Sequence, residues 1–337
     1  MDSRRYTIQD IARAAKVGVG TVSRVLNDDP NVKDSTREHV QSVIERLGYQ
    51  PSFAARSLRT QKSQTIGFIA DAVATTPYAV HLIKGAQDAA WNQGKLLLVI
   101  DADNDPKLRE RALESMLERE VEGIVYAAMF HQEVNLPDSF QQIPTVLVDC
   151  FDPHSHFPSV VPDEVQGAKL ATQTLIRHGH KRIGHIANDR LDIVYPAPRL
   201  RFEGYKQALS DAHIDFDPTL MCESDGNALS GAQCALELIA LADPPTALFC
   251  GTDRIAMGVY DALKEQGLSI PEDISIIGFD NQEIIAAYLN PALSTIALPH
   301  YEMGQWAIDY LLSGSTTNIQ ELVSCPLVKR ASIGLKA

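Results

Sequence analysis

The chain has 337 residues, 45% of them hydrophobic and 22% charged, which suits a globular protein of two or three domains. With no run of about 18 apolar residues, and no apolar stretch in the N-terminal MDSRRYTIQD, it excludes a membrane span and an export signal and is expected in the cytosol. The net charge of -13 is unevenly spread: residues 1–62 hold 11 Lys+Arg against 7 Asp+Glu, whereas the rest hold 19 against 36, so a basic head on an acidic body is ready to meet an anionic polymer.

The first elements are helical. Thr7 offers a capping hydroxyl ahead of Ile8, Ile11, Ala12 and Ala15, with Asp10 at the positive end of the dipole, which predicts a helix of about two turns. A second helix runs through Val22, Val25 and Leu26 and stops at Asn27-Asp28-Asp29-Pro30; a third starts at Asp34 or Ser35, carries Val40, Val43, Ile44 and Leu47, and ends at Gly48. Three short helices, the first two joined by a turn of about four residues, make a helix-turn-helix head. The Gly18-x-Gly20-Thr21 in the turn imitates a phosphate loop, yet a helix precedes it and no Lys follows, so that reading fails. Thr21, Ser23, Arg24 and Asn27 lie opposite the apolar positions and offer hydroxyl, guanidinium and amide groups to phosphates and base edges, with Arg24 suited to guanine.

Thr7-Ile8-x-Asp10-Ile11-Ala12-x-x-Ala15-x-Val17 followed by Thr21-Val22-Ser23-Arg24-Val25-Leu26-Asn27 resembles the head of the LacI/GalR family of bacterial transcription regulators. The resemblance implies DNA contacts from Thr7 and the recognition-helix residues, with base reading at Val19 and Gly20. Gly20 has no side chain to read with, so Val19, which suits a thymine methyl, Arg24 and the hinge should carry specificity. Tyr49 to Thr60 could form a helix too short to be stable alone. It resembles the family's hinge helix, which implies minor-groove contacts from Ser52, Ala55 and Arg56 and a wedge from Leu58; the family often has Asn where Ser52 stands.

From residue 64 the pattern alternates strand and helix. TIGFIA, KLLLVI, VEGIVYAAM, TVLVDC, RIGHIA, TALFCG and ISIIGFD read as parallel strands buried on both faces, too many for one sheet, so two doubly wound subdomains sharing a cleft are expected. Strand ends carry Asp71, Asp101, Asp149, Asn188, Thr252-Asp253 and Asp280, which singly would serve as helix caps and together suit a polar pocket. Tyr78, Tyr195 and Phe279 offer flat faces for a sugar ring.

The family resemblance extends over the body. It implies an α/β fold with a periplasmic-binding-protein-like body, in which Arg201 of Arg201-Phe202-Glu203-Gly204-Tyr205 forks onto ligand oxygens and Asp280 of Gly278-Phe279-Asp280-Asn281 takes ligand hydroxyls. Thr252-Asp253 stands where many relatives have Asn-Asp, and Asp149 joins the ligand-facing set. Ala74-Thr75-Thr76-Pro77-Tyr78-Ala79-Val80, Val161-Pro162-Asp163-Glu164 and Ile296-Ala297-Leu298-Pro299-His300 are similar to regulators of sucrose utilisation, which implies a sucrose-like glycoside as effector. The expected organisation is a head over 1–49, a hinge over 50–62 and an effector-binding and dimerisation body over 63–337, with one subdomain at 63–163 and 292–323 and the other at 164–291 and 324–337.

Cys150, Cys222, Cys234, Cys250 and Cys325 are scattered and read as small buried residues without a disulfide, and the histidines lack ligand spacing, so neither a metal nor a cofactor is expected. With no GxSxG and no nucleophilic Cys signature, the chain reads as a non-enzyme. The whole implies a homodimeric repressor on a palindromic operator, released by a sugar, with no heptad tail to join dimers. The alternatives are a corepressor-dependent regulator answering to a purine or a partner phosphoprotein and, less favoured, a sugar-binding transport protein or a sugar enzyme.

Overall fold

The computed structural model describes residues 6–49, 63–71, 73–74, 76, 80–188 and 195–336. The chain divides between Ser63 and Gln64 into two compact units. Ser52, Ala55, Arg56 and Leu58 of the expected hinge, and Tyr78, lie outside the described residues.

The head holds α1 (Ile8–Ala15), α2 (Val19–Val25) and α3 (Asp34–Leu47). Thr7 and Asp10 cap α1 reciprocally: the Thr7 hydroxyl accepts the Asp10 N–H at 3.3 Å and the Asp10 carboxylate accepts the Thr7 N–H at 3.0 Å. Lys16 and Gly48, both left-handed, end α1 and α3. Ile11, Ala15, Val22, Val25, Val40 and Val43 close one small core. Gly20 falls in the first turn of α2, where a Cβ would meet nothing within 4 Å. The glycine therefore leaves a bare spot on an exposed surface and is not needed for packing.

The body contains two six-stranded sheets. The first has the order β11-β5-β4-β3-β1-β2, comprising β1 (Thr65–Asp71), β2 (Leu96–Asp101), β3 (Ile124–Glu133), β4 (Thr145–Phe151), β5 (Ser159–Pro162) and β11 (Gln320–Val323), all parallel. Helices α4 (Val80–Asn92) and α11 (His300–Ser313) pack together on this lobe, which also carries α5 (Pro106–Glu118). The second sheet has the order β12-β10-β9-β8-β6-β7, from β6 (Ile183–Ala187), β7 (Met221–Glu223), β8 (Ala247–Cys250), β9 (Ser275–Asp280), β10 (Ser294–Ala297) and β12 (Leu327–Val328), of which only β12 runs antiparallel. Its helices are α6 (Glu164–Arg177) against α7 (Pro196–Asp211), α8 (Ala228–Ile239) against α9 (Asp253–Glu265), and the short α10 (Glu283–Ala286). The continuous apolar runs of the central strands are buried because helices cover both faces.

Two expectations need correction. The chain recrosses to the first lobe after Ala297, not near residue 291, because β10 pairs with β9 from Ser294↔Ile277 to Ala297↔Asp280 before the chain enters α11. The other crossings follow Pro162 and Val323. Cys222 and Cys234 form a disulfide, which their 12-residue separation did not suggest: the chain turns back from β7 into α8 and brings their Cα atoms to 5.7 Å. Cys150, Cys250 and Cys325 are buried thiols. No described helix is long and apolar enough to cross a membrane, and among the described residues no group of three or more His, Cys, Asp and Glu side chains is placed to hold a metal ion.

His185, on β6, is fully buried and stacks on Phe249 at 4.6 Å and Tyr205 at 5.2 Å. Its Nδ1–H donates to the Phe249 carbonyl at 3.0 Å, while Nε2 has no partner. Protonation would place an unpaired cationic N–H among aromatic rings, and burial pushes the pKa down to about 4. In the unfolded chain the same imidazole titrates near 6.5, so the unfolded state binds more protons between pH 6.5 and 4. Stability from His185 is complete above pH 6.5 and lost on acidification, by about 3 kcal/mol for a shift of this size. Urea unfolding across that range should show the loss in the wild type, and His185→Phe should flatten it.

Candidate functional site

The C-terminal ends of both sheets face one cleft within the body. From the first lobe come Met129, Phe130 and Asp149; from the second come Glu164, Asn188, Tyr195, Arg201, Thr252 and Asp280; Leu298 and His300 come from the crossing between them. Position at strand ends follows from the doubly wound topology, in which loops beyond the strands are free of packing duties.

Arg201 is the centre of the second lobe's share. It lies on α7, 4% exposed. Nε and Nη2 donate to the two carboxylate oxygens of Glu164, at 2.7 and 3.1 Å, and Nη1 donates to the Gly251 carbonyl at 2.5 Å and to Asp280 at 3.2 Å. The guanidinium rests on the Phe279 ring, 3.8 Å from its centroid. Burial alone would lower its pKa; the flanking Glu164 and Asp280 carboxylates outweigh that and hold the charge on. Asp280 itself is pushed up to about 6, by burial first and by Glu164, against the pull of Arg201.

Asp149 is the first lobe's counterpart. It lies near the end of β4, one residue before the buried Cys150, with φ +55°, and the backbone N–H groups of Phe130 and His131 favour its charged form. Those two residues are left-handed as well, φ +75° and +41°, where β3 slips register against β4. Such conformations cost about 1–3 kcal/mol each and persist where surrounding contacts over-determine them. The slip pushes Phe130 out to 54% exposure, where its ring meets Tyr195 edge-on at 5.8 Å from the other lobe. Burial, then repulsion from Glu164, lifts the Asp149 carboxyl well above the ordinary carboxylate range.

Of the sequence-predicted effector residues, Asp149, Tyr195, Arg201, Thr252 and Asp280 line the cleft. Two do not. Phe279 is wholly buried, because alternation along β9 turns it to the face opposite Asp280, and it supports Arg201 from behind. Asp253 is also wholly buried and accepts the Gln282 N–H at 2.7 Å and the Thr295 hydroxyl at 2.6 Å. Its carboxylate fits because Gly278 is bare: a Cβ there would sit 2.3 Å from Asp253 Oδ1. Thr252 is the N-cap of α9, its hydroxyl accepting the Ile255 N–H at 3.2 Å. Of the other strand-end acids, Asp71 is spent inside the first lobe on Arg109, Tyr126 and the Asn104 N–H, and Asp101 takes the Asp103 N–H.

Residues missed at the sequence level are Glu164, Phe130, Gln282, Arg254 and Asp225. Glu164 carried the one usable signal, an acid directly after the Val161-Pro162-Asp163 crossing. Gln282 donates Nε2 to Asp280 at 2.9 Å, while its Oε1 and the Oδ1 of Asn188 are buried without partners.

In the head, Val19, Gly20 and Arg24 are exposed on α2 and Asn27 just past its end, while Thr21 and Ser23 are partly so. They form one surface opposite the buried Val22 and Val25. Asn27 Nδ2 also returns to the Ser23 carbonyl, and Thr7 sits exposed at the α1 cap.

Residues 7–52 match the model of bacterial regulatory proteins, lacI family, and residues 172–333 match a periplasmic binding protein-like domain. The ribose operon repressor of Haemophilus influenzae is 34% identical over 309 residues, 91% of each chain. Catabolite control protein A of Priestia megaterium is 34% identical over 306 residues, 90% of this chain and 91% of that one. Among solved structures, the lac repressor dimer bound to operator and the anti-inducer ONPF aligns with a TM-score of 0.76 at 25% identity, over 98% of this chain and 100% of that one. A helix-turn-helix head with a polar surface on its second helix, a two-sheet body with a cleft at its strand ends and this degree of identity lead to one conclusion: the chain belongs to the lacI family and is a DNA-binding transcriptional repressor.

Proposed function

We propose that this repressor controls a carbohydrate-utilisation operon, binds a palindromic operator as a homodimer and releases it when a sugar enters the cleft. The observation that carries the sugar reading is the cleft's mixture of groups. Asn188 Oδ1 and Gln282 Oε1 are buried acceptors in want of donors, Asp149 and Asp280 add carboxyl oxygens, and Phe130 with Tyr195 presents aromatic surface. Hydroxyls satisfy the first set and the C–H faces of a sugar ring suit the second. The similarity to a ribose operon repressor points the same way. A sucrose-like glycoside is the first effector to test, on the strength of the sequence segments shared with sucrose-utilisation regulators.

Because the lining is drawn from two lobes, a bound sugar favours one relative orientation of them over the other, which is what any ligand-driven switch requires. We assign the change of state to residues 50–62, where Ser52, Ala55, Arg56 and Leu58 would hold or release the minor groove. In the head, Val19, Thr21, Ser23, Arg24 and Asn27 would face the major groove, with Gly20 leaving room for close approach, and Thr7 would meet a phosphate through the start of α1. The lac repressor, similar over nearly the whole chain, is a dimer on its operator, which supports the same assembly here.

Arg24→Ala should weaken operator binding by about 1–3 kcal/mol and relax discrimination at one base pair per half-site, read by fluorescence anisotropy on single-base operator variants. Equal weakening on every sequence would assign Arg24 to phosphate. Asn188→Ala, a small change at the cleft wall, should leave operator affinity unchanged and raise the sugar concentration for half-release at least tenfold, measured by mobility-shift titration. Arg201→Ala is a poorer probe, because it strands the buried Glu164 carboxylate and destabilises the lobe itself.

A further inference from the structure

Of the two guanidinium groups that line the cleft, Arg201 is already answered by carboxylates. Arg201 has five N–H donors, and four of them are committed: two to Glu164, one to Gly251 and one to Asp280. Glu164 is 2% exposed and takes the Nε–Nη2 edge of the fork in a bidentate pair, the geometry with which an arginine would otherwise hold a phosphate or carboxylate ligand, while Nη1 is taken by Gly251 and Asp280. Arg254 stands in the field of Asp225 and Asp280. Four carboxyl groups, Asp149, Glu164, Asp225 and Asp280, therefore share one cleft with two arginines.

An anionic ligand has two ways in, and both cost. It can displace Glu164 from the fork, which leaves a buried carboxylate without its partner. Alternatively it can leave Arg201 paired and sit among like charges. A cationic ligand gains less than the simple count suggests, since Glu164 and Asp280 are already paired with Arg201. What the cleft does offer freely is hydrogen-bond acceptors: Asn188 Oδ1, Gln282 Oε1 and the carboxyl oxygens not turned to Arg201.

We propose that Glu164 sets the charge class of the effector: by occupying the Arg201 fork it restricts the cleft to uncharged, hydroxyl-rich molecules and turns away their phosphate esters. This rests on the sugar-sensing reading and adds a residue and a selection rule to it. Glu164 acts both as a lining group and as the built-in anion that a ligand would have to replace.

The test is isothermal titration of the full-length chain with matched pairs: sucrose and sucrose 6-phosphate, glucose and glucose 6-phosphate, ribose and ribose 5-phosphate, with glucosamine as a cationic control. The expected result is that the neutral member of at least one pair binds and its phosphate ester binds at least tenfold more weakly, with no preference for glucosamine over glucose. Glu164→Gln keeps the shape of the site and removes the charge; it should narrow the neutral-to-ester ratio about tenfold, a change that general loosening of the site would not produce. Should a melting curve show that this variant does not fold, the wild-type ratios decide alone. An ester that binds as tightly as its parent sugar, tighter binding of glucosamine, or a folded Glu164→Gln variant with an unchanged ratio overturns the role of Glu164. Absence of binding by every saccharide and every ester overturns the sugar reading itself, and the selection rule with it.

Discussion

The second lobe is organised around one buried positive charge. A guanidinium taken out of water loses several kcal/mol of solvation, and only near-complete replacement of its hydrogen bonds makes the position tenable. Around Arg201 that replacement is assembled from three places in the chain: Glu164 at the start of α6, the Gly251 carbonyl just past β8, and the end of β9, which supplies Asp280 and the Phe279 ring beneath. Each partner stands where a strand or helix terminates, so the ion-pair network fixes the relative positions of those termini as well as the charge. The cleft wall inherits its rigidity from this arrangement, which is why the same arginine is a poor candidate for simple deletion.

The first lobe reaches a comparable result by backbone strain. Asp149, Phe130 and His131 occupy left-handed conformations, uncommon for any residue with a side chain and least suited to Phe130, and the N–H groups of the latter two favour the charged form of the Asp149 carboxyl. Asp280 and the following Asn281 are left-handed as well, φ +104° and +54°. Both lobes thus bend the chain sharply at the end of a central strand and present a carboxyl group there. In one lobe a neighbouring arginine accompanies it; in the other, a pair of backbone donors and an aromatic ring do.

What the sequence disclosed follows the range of the interactions involved. Helix periods in the head, the cap at Thr7 and the stop at Gly48 are local matters, and Ile11, Val22, Val25, Val40 and Val43 are buried as their spacing requires. Apolar runs such as TIGFIA and ISIIGFD announced parallel strands because burial on both faces leaves no alternation to read. Sorting the strand-end acids was beyond it: Asp149 and Asp280 reach the cleft, Asp71 and Asp253 turn inward, and the difference lies in Arg109, Tyr126 and Thr295, partners between about 38 and 55 residues away. The crossing after Ala297 escapes a local reading for a related reason. Asn290-Pro291 marks a turn, but the short STIA segment that follows is held in the second sheet by β9, and pairing of that kind leaves no mark on four residues. The Cys222–Cys234 bridge and the protrusion of Phe130 likewise depend on how distant segments meet.

Under the proposed function, a cleft built this way would make recognition and signalling the same event. Phe130 and Asp149 belong to one sheet, Tyr195, Arg201 and Asp280 to the other, and Leu298 with His300 lies on the segment joining them. A molecule that touches all of these binds with an affinity that depends on the angle between the lobes, and by linkage the angle depends on the molecule to the same degree. A ligand satisfied by Arg201 and Asp280 alone would be held by one lobe and would shift nothing, however tightly it bound. On the sugar-sensing proposal, the groups that would decide whether a bound sugar acts as an effector are therefore the first-lobe pair, Asp149 and Phe130, more than the buried arginine that holds the opposite wall in place.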